Sequence, residues 1–231
     1  MFRRSDLLRS LVYHVYNRGN GKRDIFHDRE DRLRFVRVLE DYTWRFPLEI
    51  YHWVLMSNHY HLLMRIAVPR MISAVMSGIA VSYIRWHHRK YNSAGHLFQG
   101  RFQSQPVEND SYHQACGRYI ERNPVRAGMC ALAEEYEFSS AGFYVRGRAD
   151  GLTVADPFYE EMGADDEERQ RVYREFLTKW DAEEERLFAD MQKPVGSPGF
   201  LGRLVKERGV YVLRKGRPRT RQAEDKFGGA W

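Results

Sequence analysis

Cysteine is nearly absent from this chain: 231 residues contain two thiols, Cys116 and Cys130. Two are too few for a disulfide scaffold, and they lack the Cys-x-x-Cys spacing of a zinc ribbon. A long apolar run is missing as well. The most apolar stretch, residues 71–84, is interrupted by Ser73, Ser77, Gly78 and Ser82 and falls well short of the roughly 18–20 apolar residues of a membrane helix. The opening residues, MFRRSDLLRSLVYHV, carry basic side chains but no sustained apolar core and no small-residue cleavage site, so no secretion signal is read. There is no internal repeat. The expectation is a cytoplasmic protein that does not enter a membrane.

What is present is a core and a cationic surplus. At 43% hydrophobic and 14% aromatic residues, the chain has the apolar content of a folded protein. Lys and Arg number 37 against 31 acidic residues, a net charge of +6. That tilts the chain toward a polyanionic partner without identifying one, and the distribution of charge says more than its sum.

The patterning reads β-α-β-β-α-β-α. Residues 11–18 (LVYHVYNR) are β-branched and aromatic and stop at Gly19-Asn20-Gly21, a strand running into a tight loop. Asp28 caps a helical pattern over 29–46, with Leu33, Phe35, Val36, Leu39 and Tyr42 as its apolar stripe and Pro47 closing it. Residues 50–56 and 59–66 are strand-like and flank Ser57-Asn58, a hairpin turn. Pro69 opens a second long helix ending near Asn92. A strand is predicted over 101–107, then a third helix capped by Asn109 or Asp110 and ending near Pro124. The order predicts an α+β, ferredoxin-like antiparallel sheet with helices on one face. Residues 164–185 are acidic, with Val172, Phe176, Leu177 and Trp180 as a helical stripe. The predicted division is 1–148, a mostly helical extension over 149–213, and a basic tail over 214–231.

The chemistry concentrates in two places. In MSNHYHLLM, His59 and His61 sit two apart on a predicted strand, so both rings share a face while Tyr60 points the other way. They can converge on one ion, or the strand simply alternates. In YHQACGRYIERNPVRAG, Tyr119 and Asn123 lie one helical turn apart. They offer a nucleophile and a hard-metal ligand, or a core tyrosine and a helix-ending asparagine.

Four segments in order, YHVYNRGNGKRDIF (13–26), MSNHYHLLM (56–64), GHLFQGRFQS (95–104) and YIERNPVRAG (119–128), resemble the HUH single-tyrosine transposases. Specifically, they resemble the REP-associated tyrosine transposases and their insertion-sequence relatives. The resemblance implies that His59, His61 and Asn123 hold Mg²⁺ or Mn²⁺ and that Tyr119 is the nucleophile. It further implies a single-stranded DNA endonuclease and strand transferase that acts at hairpin-bearing repeated elements through a 5′-phosphotyrosine. No nucleotide cofactor is needed, the chain would work as a monomer or homodimer, and it would associate with the nucleoid. The alternative is a domesticated protein that binds hairpin DNA without cutting it.

Other residues suit a DNA surface. Arg18, Asn20, Lys22 and Arg23 follow the first strand on a glycine-bearing loop. Arg101 with Phe102, and the WHHRKYN segment (86–92), mix cations with stacking aromatics. Residues 214–221 read RKGRPRTR. There Lys215, Arg217 and Arg219 form either an AT-hook core for the minor groove or a basic tail drawn to phosphates.

Overall fold

The computed structural model describes residues 12–108, 111–179, 182–189 and 196–208. The expected caps Asn109 and Asp110, and the tail residues Lys215, Arg217 and Arg219, lie outside these residues.

Four strands form one antiparallel sheet in the order β2-β3-β1-β4: β1 (Val12–Arg18), β2 (Leu48–Leu55), β3 (His59–Ile66) and β4 (Gln103–Val107). The hairpin between β2 and β3 closes as expected at Ser57-Asn58, where the Met56 N–H donates to His59 O at 2.9 Å. Helix α1 (Arg29–Arg45) starts in a capping box: Asp28 accepts from the Asp31 N–H at 2.9 Å, and Asp31 reaches back to the Asp28 N–H. Helix α2 (Ile72–Tyr91) follows a 3₁₀ turn begun by Pro69, and Asn92 ends it in the left-handed region at φ 43°.

These two crossover helices share one sheet face. Phe35, Val38 and Leu39 of α1 and Val75, Met76, Ile79 and Tyr83 of α2 pack there on Val15, Tyr60, Leu62 and Met64. The opposite face is covered by α3 (Ser111–Glu121), through Ala115, Cys116, Tyr119 and Ile120. Pro124 does not end helical structure outright. Asn123 begins a short helix, α4 (Asn123–Arg126), and the turn between the two keeps an Arg126 N–H to Arg122 O bond of 2.9 Å. A proline in the first turn lacks only an N–H that would have no partner there.

Residues 139–154 run beside the outer edge of β2, with bridges Val54–Ser139 and Ile50–Thr153, and so cover an edge that would otherwise be open to pairing. Helices α5 (Ala141–Arg146), α6 (Pro157–Glu160) and α7 (Asp166–Thr178) build a third cluster around Tyr144, Tyr159, Tyr173 and Leu177. The predicted acidic helix therefore splits: Lys179 is extended, and α8 (Ala182–Ala189) begins afresh. Helix α9 (Pro198–Arg208) follows. Among the described residues no helix is long and apolar enough to cross a membrane.

Candidate active site

The register of the central strands sets the site. Across β1 and β3, Arg18 faces His59, Tyr16 faces His61 and His14 faces Leu63. Paired residues share a face, so His14, Tyr16 and Arg18 line the same side as the two histidines, under α3. Tyr60 takes the other side and packs on Phe35 at 4.9 Å between ring centroids.

The His59 and His61 rings stand perpendicular, 5.2 Å apart. Each has its Nδ1 engaged: His59 with Asn58 Oδ1 at 2.6 Å, His61 with His14 Nε2 at 2.9 Å. His14 Nδ1 in turn meets Gln105 Oε1 at 3.4 Å. Read from the Gln105 amide oxygen, His14 donates from Nδ1, so its Nε2 accepts from His61 Nδ1 and His61 Nε2 is left with a lone pair. Such outer partners fix the tautomer of metal-binding histidines.

Tyr119 on α3 lies 5.8 Å from the His61 ring and 5.8 Å from that of His14. The Arg126 guanidinium sits 5.0 Å from the Tyr119 centroid. Asn123 spends its amide N–H₂ on the Tyr119 and Ile120 carbonyls, at 2.9 and 3.2 Å. Its Oδ1 is thereby left for the site, where Asn123 also hydrogen-bonds to His59. All four residues carried over from the resemblance are thus brought together.

The electrostatics keep the rings neutral. Burial lowers His14 to about 4. Burial, with Arg18 and Arg126 adding to it, lowers His59 to about 4 against a hydrogen bond to Asn123. His61 is pushed well down by burial and by its neighbours His14, His59 and Arg126. Near neutrality these are unprotonated imidazoles, the form that binds a metal.

The site is covered. Phe188 of α8, fully buried, lies 5.7 Å from the Tyr119 ring and 6.3 Å from that of His14, and Tyr119 is 7% exposed.

The predicted DNA-binding residues divide. Arg18 is at the rim, its Nε 3.3 Å from Gln99 Oε1. Asn20, Lys22 and Arg23 are exposed on a loop docked over the β2–β3 turn, where the Gly19 N–H donates to Asn58 O at 2.8 Å. Gly19 is required there, because a Cβ would stand 2.0 Å from Arg23 O. Arg101 is exposed beside a groove of about 850 Å³ between α2 and β4, also lined by Asn17, Phe102 and Ser104. The 86–92 segment is instead largely committed to structure. Lys90 pairs with Asp28, Glu30 and Asp31, and Trp86 packs against the core.

The sequence reading passed over His14, Gln105 and Arg126. His14 and Gln105 lie inside or beside quoted motifs, but their part depends on β1 sitting between β3 and β4.

A second polar cluster lies behind α3. His113, Gly117 and Glu121 follow at four-residue steps on one helix face and meet His52 of β2. A bulge between Ile50 and His52 turns His52 to this face alongside Tyr51. His52 Nδ1 meets Glu121 Oε1 at 2.9 Å and its Nε2 meets Asp156 Oδ2 at 3.0 Å; His113 Nε2 lies 2.6 Å from the same oxygen. Glu121 also accepts from Ser140 at 2.6 Å and Tyr173 at 2.8 Å. Burial works to lower His52, but Glu121 and Asp156 outweigh it and raise it to about 9.

No curated protein matches the chain. A solved structure of a REP-associated tyrosine transposase bound to a REP hairpin is 18% identical, with a TM-score of 0.49, and the match covers 68% of this chain and 92% of that one. The sequence profile of IS200-like transposases matches residues 8–123, half of the chain and the span that holds His14, His59, His61, Tyr119 and Asn123. The chain belongs to the IS200-like transposase family.

Proposed function

We propose that this protein is a metal-dependent single-stranded DNA endonuclease and strand transferase that works at hairpin-bearing elements through Tyr119. The observation that carries the reading is the convergence of His59 and His61, each with Nδ1 hydrogen-bonded, beside the Tyr119 phenol and Asn123. Two imidazoles and an amide oxygen suit a divalent ion with open positions for substrate, such as Mg²⁺ or Mn²⁺. Held by His59, His61 and Asn123, such an ion would supply Lewis-acid charge at a non-bridging phosphate oxygen.

The chain's own groups account for the rest. The Tyr119 oxygen attacks phosphorus in line; the Tyr–O–P bond forms as the P–O3′ bond breaks, and the 3′ oxygen leaves as a hydroxyl on taking a proton. Arg126, over the Tyr119 ring, adds positive charge where phosphate charge builds. Arg18, Asn20, Lys22 and Arg23 hold the strand on the rim beside His59, and Arg101 extends that cationic track toward the groove. A 3′ hydroxyl can reverse the step, because the phosphotyrosine retains the ester bond.

The burial of Tyr119 under Phe188 favours a second reading, a hairpin-binding protein that does not cut. An assay on labelled single-stranded oligonucleotides bearing hairpins separates the two. Cleavage predicts a covalent protein–DNA adduct that requires Mg²⁺ or Mn²⁺ and disappears in Tyr119→Phe. Hairpin binding with no adduct from the native protein would establish the second reading.

A further inference from the structure

We infer that His52, His113 and Asp156 form a second, structural metal site, separate from the one under Tyr119 and suited to Zn²⁺. All three side chains are buried, and one ligand atom from each lies within 4.8 Å of the other two. Two of the three have their other polar atom engaged away from the centre. His52 Nδ1 is held by Glu121, and Asp156 Oδ1 accepts the Phe158 N–H at 2.8 Å. His52 Nε2, His113 Nε2 and Asp156 Oδ2 are left converging.

A carboxylate on the far nitrogen of a ligating histidine is the outer-sphere arrangement typical of zinc, and a His₂-carboxylate set is a known zinc donor combination. Charge points the same way. Glu121 and Asp156 are two buried carboxylates on either side of the His52 ring, and isolated charge in such a place is costly. A divalent cation with two neutral imidazoles balances them. The donors stand at hydrogen-bonding distance, so entry of the ion exchanges the protons shared between each ring and Asp156, released to water, for metal–ligand bonds.

The ligands come from β2, α3 and the cap of α6. The ion would therefore fasten the helix that carries Tyr119 to the sheet and to the segment beyond residue 149. This site shares no ligand with the proposed catalytic one, so either can fail without the other.

The test uses the full chain carrying His59→Ala and His61→Ala, stripped with a chelator and dialysed against Zn²⁺ or Co²⁺. The expected result is one retained equivalent by elemental analysis, visible d–d bands with Co²⁺, and a melting temperature about 5–10 °C higher at a hundredfold excess over Kd. Adding His113→Gln, or Asp156→Asn if that variant does not fold, should remove the equivalent and the shift. No retained metal in the His59→Ala/His61→Ala protein, or equal retention when His113 or Asp156 is replaced in a folded variant, overturns the inference and leaves the cluster an ion-pair network.

Discussion

At the scale of single residues, His14 links the β4 edge to the proposed metal ligand His61. His14→Ala removes the acceptor for His61 Nδ1–H and frees the ring to turn or change tautomer. The expected outcome is a 10–100-fold loss of Mn²⁺ affinity in a titration, with hairpin binding retained. Titration itself gives a second prediction. In the metal-free protein, His14 and His59 are lowered from 6.5 to about 4, so the unfolded chain binds more protons between those values. Their contribution to stability is complete above pH 6.5 and is lost as the pH falls toward 4, by on the order of 3 kcal/mol for a fully buried ring. His52, raised to about 9, has the opposite sign: its contribution is present below 6.5 and is lost as the pH rises through 9. Urea unfolding of chelated protein across pH 4–9.5 should trace a dome, and His14→Gln should flatten its acid limb.

At the scale of elements, helix α3 serves two sites from two faces. Tyr119 turns toward β1 and β3, while His113, Gly117 and Glu121 turn toward β2. Gly117 shows how close the second packing is, because a Cβ there would lie 2.7 Å from His52 Nε2. In an exposed helix, Gly→Ala gains up to about 1 kcal/mol. Here the overlap should dominate, and Gly117→Ala is expected to destabilise by about 1–3 kcal/mol in urea unfolding. This helix also marks where sequence reading succeeds. Four-residue spacing correctly put Tyr119 and Asn123 together, and two-residue spacing put His59 beside His61, because both rules are local. Strand order is not local, so the relay through His14 and Gln105 could not be read. Neither could His52, whose facing is changed by the bulge. The α1 cap at Asp28 and the β2–β3 turn were legible because each is written in a few adjacent residues. The loss of Lys90 to three carboxylates was not, since α1 and α2 meet only in the folded chain.

At the scale of the whole molecule, the proposed DNA surface and the basic tail act through charge. Residues 214–221 contain five Lys or Arg. On single strands each phosphate contact adds about 0.7 to the slope of log K against log salt. Removing residues 214–231 should reduce that slope by up to about 3.5 while the Tyr119 adduct still forms. An unchanged slope would show that the tail makes no phosphate contacts.

The bulge in β2 has a consequence for how this strand can change over time. Its side-chain directions depend on chain length as well as on residue identity. Losing Tyr51 would restore a plain alternating ladder in which Ile50 and His52 keep the opposite faces they now occupy, so the His52 contacts with Glu121 and Asp156 would survive and only those of Tyr51 would go. Losing a residue elsewhere in the strand would instead exchange every side chain on one flank between the two faces. Spacing outside the bulge should therefore be held as tightly as composition.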